Sequence, residues 1–148
     1  MKCPFCRETT TEVYNSRNTK SGNQIWRRRR CKNCGQAFTT YEYIDLTFVS
    51  ILKRSGKMEP YSRAKLYSGL YNAFAGSSFD QSVIDAITDT VETKVLDSGK
   101  TVLKANELAH IALVTLKHFN GTAFLRYLSL QTDLASSSQI KKELKKYQ

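Results

Sequence analysis

The 148-residue sequence lacks any run of about 18 apolar residues, the length that a membrane-spanning helix requires. Its first residues, Met1-Lys2-Cys3, offer no apolar segment of a signal peptide. It contains neither of the glycine-rich loops that bind phosphates in P-loop and dinucleotide-binding proteins, and no catalytic constellation is evident. Both histidines, His110 and His118, stand where structural roles are usual. We therefore expect a soluble, cytoplasmic protein with no membrane partner and no enzymatic activity.

Acidic residues are also in short supply. The chain carries 23 Lys and Arg against 13 Asp and Glu, a formal net charge of +10, which favours a polyanionic partner. Nine of the basic residues but four of the acidic residues fall within residues 1–47, so the first third is the denser basic surface. The density peaks at residues 27–30, which are all arginines.

The four cysteines form two Cys-x-x-Cys pairs, Cys3 with Cys6 and Cys31 with Cys34. A two-residue spacer lets both sulfurs of a pair face one ion, so two such turns can surround a zinc ion as a tetrahedron. Gly35, directly after the second pair, suits a turn because glycine tolerates a positive φ. No histidine or carboxylate completes an open site, which predicts a closed structural zinc. Two disulfides or redox pairs fit less well, because the chain shows no mark of secretion and no βαβ context.

Residues 1–46 predict a small β-rich module around the metal. Short strands are expected over residues 11–14, 24–30 and 37–41, and the first two are separated by a turn over residues 18–23. Such a module buries little surface, so we expect the zinc ion to supply its folding energy.

The arginine run falls on the second of these strands. A period of two places Arg27 and Arg29 on one face and Arg28 and Arg30 on the other. The run is then either a solvated edge strand, where charge prevents association of strands, or a surface that contacts phosphates and base edges. We favour the second interpretation because a metal-stapled module with this charge density is typical of nucleic-acid binders. The predicted DNA contacts are Arg17, Arg27, Arg28, Arg29, Arg30 and Lys32.

The second half of the chain predicts a mostly helical domain with a small sheet. A strand over residues 48–53, a turn over 54–57 and an extended segment over 58–61 form a hairpin. Helices follow between the cap Ser62 and Gly76, between the cap Asp80 and Gly99, over residues 106–118, and from the cap Asn120 through residue 128. Residues 101–103 predict a short strand and residues 138–147 a solvated terminal helix. The fold class is therefore α+β.

A basic cluster stands at the hairpin and the start of the first helix. Its members are Lys53, Arg54, Lys57, Arg63 and Lys65. Cations beside the free N–H groups of a helix start suit a triphosphate, and the carboxylate of Glu59 is available to a ribose or a base. From the residues alone, a solvated basic hairpin without a ligand remains an open alternative.

Four segments occur in a distinctive order: residues 1–6 (MKCPFC), 15–17 (NSR), 27–30 (RRRR) before the second cysteine pair, and 37–42 (AFTTYE). In this order they resemble the NrdR family, bacterial repressors of ribonucleotide reductase genes. The second half is similar to an ATP-cone, a nucleotide-sensing domain also found on ribonucleotide reductases. The residues that meet the cone signature are Val49, Lys53, Arg54, Gly56, Glu59, Tyr61, Lys65 and Leu66.

The resemblance implies a zinc ribbon over residues 1–46, an ATP-cone over 47–136 built as a helical bundle capped by a small β-sheet, and a C-terminal helix or tail over 137–148. It implies ATP and dATP as effectors. The nucleotide-binding residues that it implies are Val49, Lys53, Arg54, Glu59, Lys65, Leu66 and Tyr127. A segment near the C-terminal end matches the family pattern only in part. This chain has Phe124 where the family has a tyrosine, and Gln131-Thr132 where it has a Tyr-Arg pair.

By the same resemblance, dATP favours a homo-oligomer that binds operator DNA and represses reductase genes, whereas ATP alone favours an oligomer that does not bind. The protein is then cytoplasmic, and associated with the nucleoid when bound to DNA. One small ribbon offers few base contacts, so paired ribbons on a symmetric assembly are expected. Two alternatives are a regulatory fragment of a reductase, disfavoured by the complete ribbon, and an RNA-binding or nuclease-accessory ribbon, disfavoured by the cone signature.

Overall fold

The structure is a computed structural model that describes residues 1–19, 23–76, 78–132 and 136–147. The chain forms two compact units, Met1–Asp45 and Leu46–Gln148, each with its own sheet. The turn expected over residues 18–23 lies partly outside the described residues, and the division into three functional segments stays a prediction. In the part of the chain that is described, no helix is both long and apolar enough to cross a membrane.

The first unit is an antiparallel sheet of β1 (Thr11–Asn18), β2 (Gln24–Cys31) and β3 (Ala37–Tyr43). The strand order is β1-β2-β3, so the arginine-bearing strand β2 lies at the centre and pairs on both sides. The interpretation of the arginine run as a solvated edge strand is therefore wrong. Strand β1 is also longer than predicted, because its pairing with β2 resumes after a bulge between Val13 and Asn15.

The second unit carries a sheet of β4 (Ser50–Leu52), β5 (Met58–Pro60) and β6 (Val102–Lys104) in the order β5-β4-β6. Strands β4 and β5 form the predicted antiparallel hairpin, but a 3₁₀ turn over Leu46–Phe48 occupies the predicted start of the first strand. Strand β6 pairs with β4 in parallel, and Leu52 lies opposite Lys104. This pairing brings the start of the third helix beside the hairpin turn.

The helices of the second unit are α1 (Arg63–Ala73), α2 (Gln81–Asp97), α3 (Ala105–Phe119), α4 (Gly121–Gln131) and α5 (Ser137–Lys145). Side chains of the three predicted caps, Ser62, Asp80 and Asn120, accept hydrogen bonds from backbone N–H groups in the first turns of α1, α2 and α4. Helix α3 begins without a side-chain cap; instead the Glu107 carboxylate accepts the N–H of Lys104 at 2.9 Å.

The core of the second unit is built from the apolar faces that recur at helical spacing. Its large, fully buried apolar side chains are Val49, Leu70, Ile84, Ile87, Val91, Val95, Leu103, Leu113, Leu116 and Leu128. They come from the sheet and from helices α1 to α4, so the bundle and the small sheet share one core. The α+β fold class, with a β-rich first unit and a mostly helical second unit, is confirmed.

The terminal helix differs from the sequence-based expectation of a solvated helix. Leu144 and Tyr147 are half-buried against the core. The Tyr147 ring stacks on His110 with ring centroids 5.1 Å apart, and it meets Phe124 edge-on at 5.4 Å. Two apolar anchors in a strongly basic segment were too few to reveal this docking from periodicity alone. Helix α5 is therefore a docked part of the second unit.

Candidate functional site

The cysteine cluster has the geometry of a closed metal site. One sulfur from each of the four cysteines, Cys3, Cys6, Cys31 and Cys34, lies within 4.8 Å of all the others. The Sγ–Sγ distances are 3.7 Å for Cys3 to Cys34 and 3.6 Å for Cys6 to Cys31. A tetrahedron with Zn–S bonds of about 2.3 Å has sulfurs about 3.8 Å apart, so the cluster fits zinc. All four thiols are free, which favours the metal site over the disulfide alternative.

The two cysteine pairs sit on equivalent turns. The N–H of Arg7 donates to the carbonyl of Cys3, and the N–H of Gly35 donates to the carbonyl of Cys31, both at 3.0 Å. Both turns end in a left-handed residue, with φ of 66° at Arg7 and 72° at Gly35. The predicted role of Gly35 follows from this φ, whereas Arg7 adopts the same conformation without the freedom of glycine.

The sulfurs differ in their tendency to ionise. At Cys34 the N–H of Gln36 lowers the pKa, but burial and the neighbouring sulfurs outweigh it and raise the pKa to about 12. The backbone N–H of Glu8, with help from the Asn33 amide 3.8 Å away, lowers the pKa of Cys6 to about 6. Cys3 and Cys31 are fully buried. Four sulfurs from two turns would hold a zinc ion and staple the sheet, which is a structural role.

The sheet of the first unit has two chemically different faces. On one face, the Arg27 guanidinium donates to the Glu42 carboxylate at 2.8 Å, and Arg29 donates through Nε to the Thr40 hydroxyl at 3.1 Å. On the other face, Arg28 donates to the Thr39 hydroxyl at 2.9 Å. The arginine run therefore does not act as one uniform patch.

Aromatic rings accompany the arginines of the second face. The guanidinium of Arg30 lies 5.0 Å from the centre of the Tyr14 ring, and that of Arg17 lies 5.8 Å from the Trp26 ring. Lys32, the remaining predicted DNA contact, pairs with Glu12 at 3.2 Å. The cation–aromatic contacts hold the guanidinium groups in place without neutralising them.

A cavity of about 810 Å³ opens in the second unit between the hairpin turn, the start of α3, the end of α4 and helix α5. A smaller cavity of about 430 Å³ shares part of its lining, including Arg54 and Asn106. The cations that line the larger cavity are Lys53, Arg54, Lys100, Lys104 and Lys146. Volumes of about 300–1,000 Å³ are usual for small-molecule sites, and this excess of cations suits a phosphorylated ligand.

The start of α3 supplies the electrostatics of this cavity. Lys100 pairs with Glu107 at 2.9 Å, and the same carboxylate accepts the backbone N–H of Lys104. The N–H of Lys104, followed by the contact with Lys100, lowers the pKa of Glu107, which therefore stays ionised. The first turn adds the positive end of the helix dipole. The Glu107 carboxylate offsets Lys100, so attraction for an anion comes from the helix start and from Arg54 and Lys104, which form no ion pair with another described residue.

The predicted nucleotide-binding residues divide into three sets. Lys53 and Arg54 line both cavities. Glu59 and Lys65 are absent from the lining that the described residues provide. Glu59 Oε1 accepts hydrogen bonds from Lys53 and Lys65, each at 2.9 Å, and these two cations, Lys65 first, lower the pKa of Glu59. Glu59 therefore orients Lys53 at the rim of the cavity and holds Lys65 just behind it.

The third set lies in the core. Val49, Leu66 and Tyr127 are all at least 95% buried and pack in the central cluster. Burial raises the pKa of Tyr127 to about 12, so its phenol stays neutral at ordinary pH. These residues support the sheet and helices that carry the cavity, and their direct contact with a nucleotide stays a prediction.

The sequence-based prediction did not include Lys100, Lys104 and Asn106, because it placed the phosphate site at the start of α1. That helix start is already engaged: Ser62 caps it, and Arg63 pairs with Asp89 and Glu92. A signal for α3 was present in the sequence, since Lys104 precedes the helix and Glu107 follows three residues later. The parallel pairing of β4 with β6, which periodicity does not report, brings this helix start to the hairpin.

The departures from the family pattern lie at the same cavity. Gln131 and Thr132 line it, and the carbonyl oxygen of Gln131 accepts a hydrogen bond from Arg54 at 2.8 Å. Phe124 is buried behind the wall formed by Tyr147. The sequence changes therefore alter the lining of the cavity and the residues behind it.

A four-cysteine ribbon followed by a helical unit with a small sheet defines the class of regulators that join a zinc ribbon to an ATP-cone. Residues 1–42 match the family described as the N-terminal domain of NrdR-like transcriptional repressors, and residues 49–134 match the ATP cone domain. The chain belongs to the NrdR family of transcriptional repressors, and the resemblance read from the sequence motifs is confirmed.

Relatives that match over nearly the whole chain bear the name transcriptional repressor NrdR. The relative from Thermosynechococcus vestitus is 33% identical over 97% of this chain and 89% of its own length. The relative from Rhodococcus jostii is 34% identical over 98% of this chain and 92% of its own length. The relative from Dictyoglomus turgidum is 33% identical over 97% of this chain and 96% of its own length. The role that these names describe is regulatory and not enzymatic.

Proposed function

We propose that this chain represses ribonucleotide reductase genes by binding operator DNA, and that ATP and dATP control this binding through the cone. The observation that carries the proposal is the cavity of about 810 Å³ beside the start of α3. Five cations from the hairpin turn, from residues 100–104 and from position 146 line it, and the other unit of the chain is a basic four-cysteine ribbon. The family name supports repression of transcription. Charge, cavity size and family all favour the same function.

Zinc has a structural role in this proposal. Cys3, Cys6, Cys31 and Cys34 hold the ion, and the closed four-sulfur shell leaves no position for a substrate. The ion fixes the two turns from which the sheet extends. The ribbon then presents its basic residues to the phosphates of operator DNA.

The triphosphate lies, in this proposal, between the hairpin turn and the start of α3. Arg54 and Lys104 neutralise the phosphates, whereas Lys100 shares its charge with Glu107. The N–H groups at the start of α3 bind the phosphate oxygens. Lys53 reaches the same charge from the rim, where Glu59 orients it beside Lys65. Because Glu59 lies outside the lining, its predicted hydrogen bond with the ribose or the base requires the carboxylate to leave the two lysines and turn toward the cavity.

ATP and dATP differ only in the 2′-hydroxyl, so discrimination needs a polar group beside the ribose. The cavity offers the side chains of Asn106, His110, Gln131 and Thr132. A site that hydrogen-bonds a hydroxyl rejects the ligand that lacks it, because a buried polar group is left unpaired. Gln131 and Thr132, where this chain departs from the family pattern, are therefore the positions at which we expect its effector preference to be set.

The coupling between nucleotide and DNA works through oligomerisation. A nucleotide shifts an equilibrium between two homo-oligomers only by its difference in affinity for them, and about 1.4 kcal/mol of difference changes their ratio tenfold. dATP favours the form whose paired ribbons meet two half-sites at once, and ATP favours a form that does not bind. The protein acts in the cytoplasm, at the nucleoid when bound to DNA.

The test measures mass and DNA binding on the same samples. Full-length protein is weighed by light scattering, alone and with ATP, dATP or both, and is titrated with a labelled duplex carrying the promoter of the reductase genes of the source organism. We expect dATP to tighten binding at least tenfold relative to ATP, together with a change of mass. Equal affinity and equal mass under all four conditions would contradict the proposed switch.

A further inference from the structure

We propose that the ribbon contacts double-stranded DNA with one face of its sheet, through Arg17, Arg28 and Arg30, while Arg27 and Arg29 on the opposite face stabilise the ribbon. This inference rests on the proposed DNA binding and divides the arginine run into two sets with different tasks. We call the first set, with Tyr14 and Trp26, the aromatic face, and the surface that carries the second set the paired face.

The register of the sheet assigns each residue to its face. Directly paired residues in neighbouring strands point to the same side, and alternate residues in a strand point to opposite sides. Trp26 pairs with Arg17, Arg28 pairs with Thr39, and Arg30 lies two residues further along the same face. The bulge between Val13 and Asn15 turns Tyr14 to this side, as its contacts with Arg28 and Arg30 require.

The arginines of the paired face already have protein partners. Arg27 forms an ion pair with Glu42 at 2.8 Å, and 30% of its side chain is exposed. Arg29 donates to the Thr40 hydroxyl at 3.1 Å, as Arg28 on the other face does to Thr39 at 2.9 Å, so Arg29 differs from Arg28 in its neighbours. Apolar residues, Val13 and Phe38, lie opposite Arg29 on the two neighbouring strands. A phosphate on this face would have to compete with Glu42 for its cation, and the carboxylate would repel it.

The aromatic face keeps its charge. None of Arg17, Arg28 and Arg30 forms an ion pair with another described residue, and the acid opposite Arg30, Glu12, is paired with Lys32 at 3.2 Å. A guanidinium stacked over a ring loses little mobility when it binds, and its N–H edge stays available for a phosphate or for guanine. The aromatic face is thus both more positive and better ordered for an anionic partner.

The same contacts favour a duplex over an unpaired strand. Binding of single strands relies on free aromatic rings on which successive bases stack. The rings beside the guanidinium groups are covered, Trp26 by Arg17 and Tyr14 by Arg30. Tyr41 and Tyr43 on β3 stay exposed on the same face, so the comparison with oligothymidine decides between the two ligands. Donors at alternate positions of a strand suit the phosphates and groove edges of duplex DNA.

Two double variants with equal charge changes test the inference. Arg28→Gln with Arg30→Gln alters the aromatic face, and Arg27→Gln with Arg29→Gln alters the paired face of the same strand. Full-length proteins with dATP present, and with zinc content measured as the folding control, are titrated at several salt concentrations with the duplex carrying the reductase promoter and with an oligothymidine of equal length. Arg17→Gln, on β1, is a third variant that leaves β2 intact.

We expect the aromatic-face pair to weaken duplex binding at least tenfold and to reduce the salt slope by about 1.8, since each phosphate contact contributes about 0.9. Arg17→Gln should reduce the slope by about 0.9, and the paired-face variant should leave the slope unchanged while it retains zinc. If the paired-face variant loses zinc, it no longer serves as a control, and the test then rests on Arg17→Gln. An unchanged salt slope of duplex binding in Arg17→Gln overturns the inference.

Equal losses for the two double variants, both with zinc, also overturn it, although DNA binding by the parent protein would still stand. Tighter binding of oligothymidine than of duplex by the parent overturns the assignment to double-stranded DNA. A parent protein that binds neither probe overturns the proposed function itself, so the two failures are distinguishable.

Discussion

Arg54 donates a hydrogen bond of 2.8 Å from Nη2 to the main-chain carbonyl oxygen of Gln131, and this contact joins the hairpin turn to the end of α4. Both residues line the two adjacent cavities. The carbonyl at the end of a helix carries partial negative charge, which holds the guanidinium over the cavity without a full counter-charge. Arg54 therefore faces the cavity with most of its charge unopposed.

We expect Arg54→Ala to weaken binding of ATP and dATP about tenfold or more, because a hydrogen bond to a charged group contributes about 1.5–3 kcal/mol. Lys57→Ala removes the same charge from the same hairpin at an exposed position outside the cavity lining and is the matched control. Calorimetric titration of both variants gives the affinities. Equal losses for the two variants would mean that the hairpin acts only through its overall charge.

Lys53 and Lys65 share one carboxylate oxygen of Glu59 but differ in their relation to the cavity. Lys53 lines it, whereas Lys65 lies behind Glu59 with 65% of its side chain exposed. We expect Lys53→Ala to lower nucleotide affinity about tenfold and Lys65→Ala to lower it about two- to fivefold, since an exposed charge interacts in water. Zinc content should stay unchanged in both, because the ribbon is a separate compact unit. A larger loss for Lys65→Ala would reverse the order of the two lysines at the phosphates.

Much of the second unit was predictable because its determinants are local. Ser62, Asp80 and Asn120 mark helix starts with a side chain that any reader of the sequence can find, and the apolar period gives the buried face. The metal site was predictable for the same reason, because each Cys-x-x-Cys turn places two sulfurs side by side. Only the approach of the two turns depends on the rest of the fold. These features depend on neighbours in sequence.

The features that the sequence did not reveal depend on pairing between distant segments. A period of two assigns Arg28 and Arg29 to opposite faces, but it does not say which strand is central. The sequence therefore allowed an edge strand where the sheet has its middle strand. Likewise, the cavity forms because Leu52 pairs with Lys104 across a parallel ladder, which no local pattern encodes. The docking of α5 depends on the stacking of Tyr147 on His110. This is a tertiary contact, so no local sequence pattern predicts it.

The buried phenol of Tyr127 predicts a loss of stability in alkali. Its pKa is raised from 10.0 to about 12 by burial. Above pH 10 the unfolded chain loses this proton while the folded chain keeps it, so the free energy of unfolding falls until the folded phenol also ionises near pH 12. A shift of this size corresponds to a loss of about 3 kcal/mol.

Tyr127→Phe should remove that loss, and urea unfolding at several pH values between neutral and strongly alkaline measures it. Tyr61, whose pKa burial also raises, contributes equally to parent and variant, so the difference between them isolates Tyr127. Tyr71→Phe, at a half-exposed position on α1, controls for the loss of a phenol. The same alkaline slope in Tyr127→Phe and in the parent would contradict the assigned burial effect.

Removal of zinc should unfold the first unit and spare the second. The ribbon is stapled by four sulfurs, and its largest aromatic, Trp26, lies half-buried on an open sheet. Structural zinc contributes about 10–16 kcal/mol in comparable small modules, far more than so small a sheet supplies. The second unit keeps its own core of helices and sheet, with no cysteine in it.

Trp26 makes this prediction measurable, because it is the single tryptophan of the chain and reports on the ribbon alone. A strong chelator should shift its emission to that of a solvated indole, while the helical circular dichroism and the affinity for ATP and dATP stay within about twofold of the metal-bound protein. Cys34→Ser, which leaves three sulfur ligands, should give the same fluorescence without chelator. An unchanged Trp26 emission after complete loss of zinc would show that the sheet folds without its metal, and a parallel collapse of the helical signal would show that the two units do not fold independently.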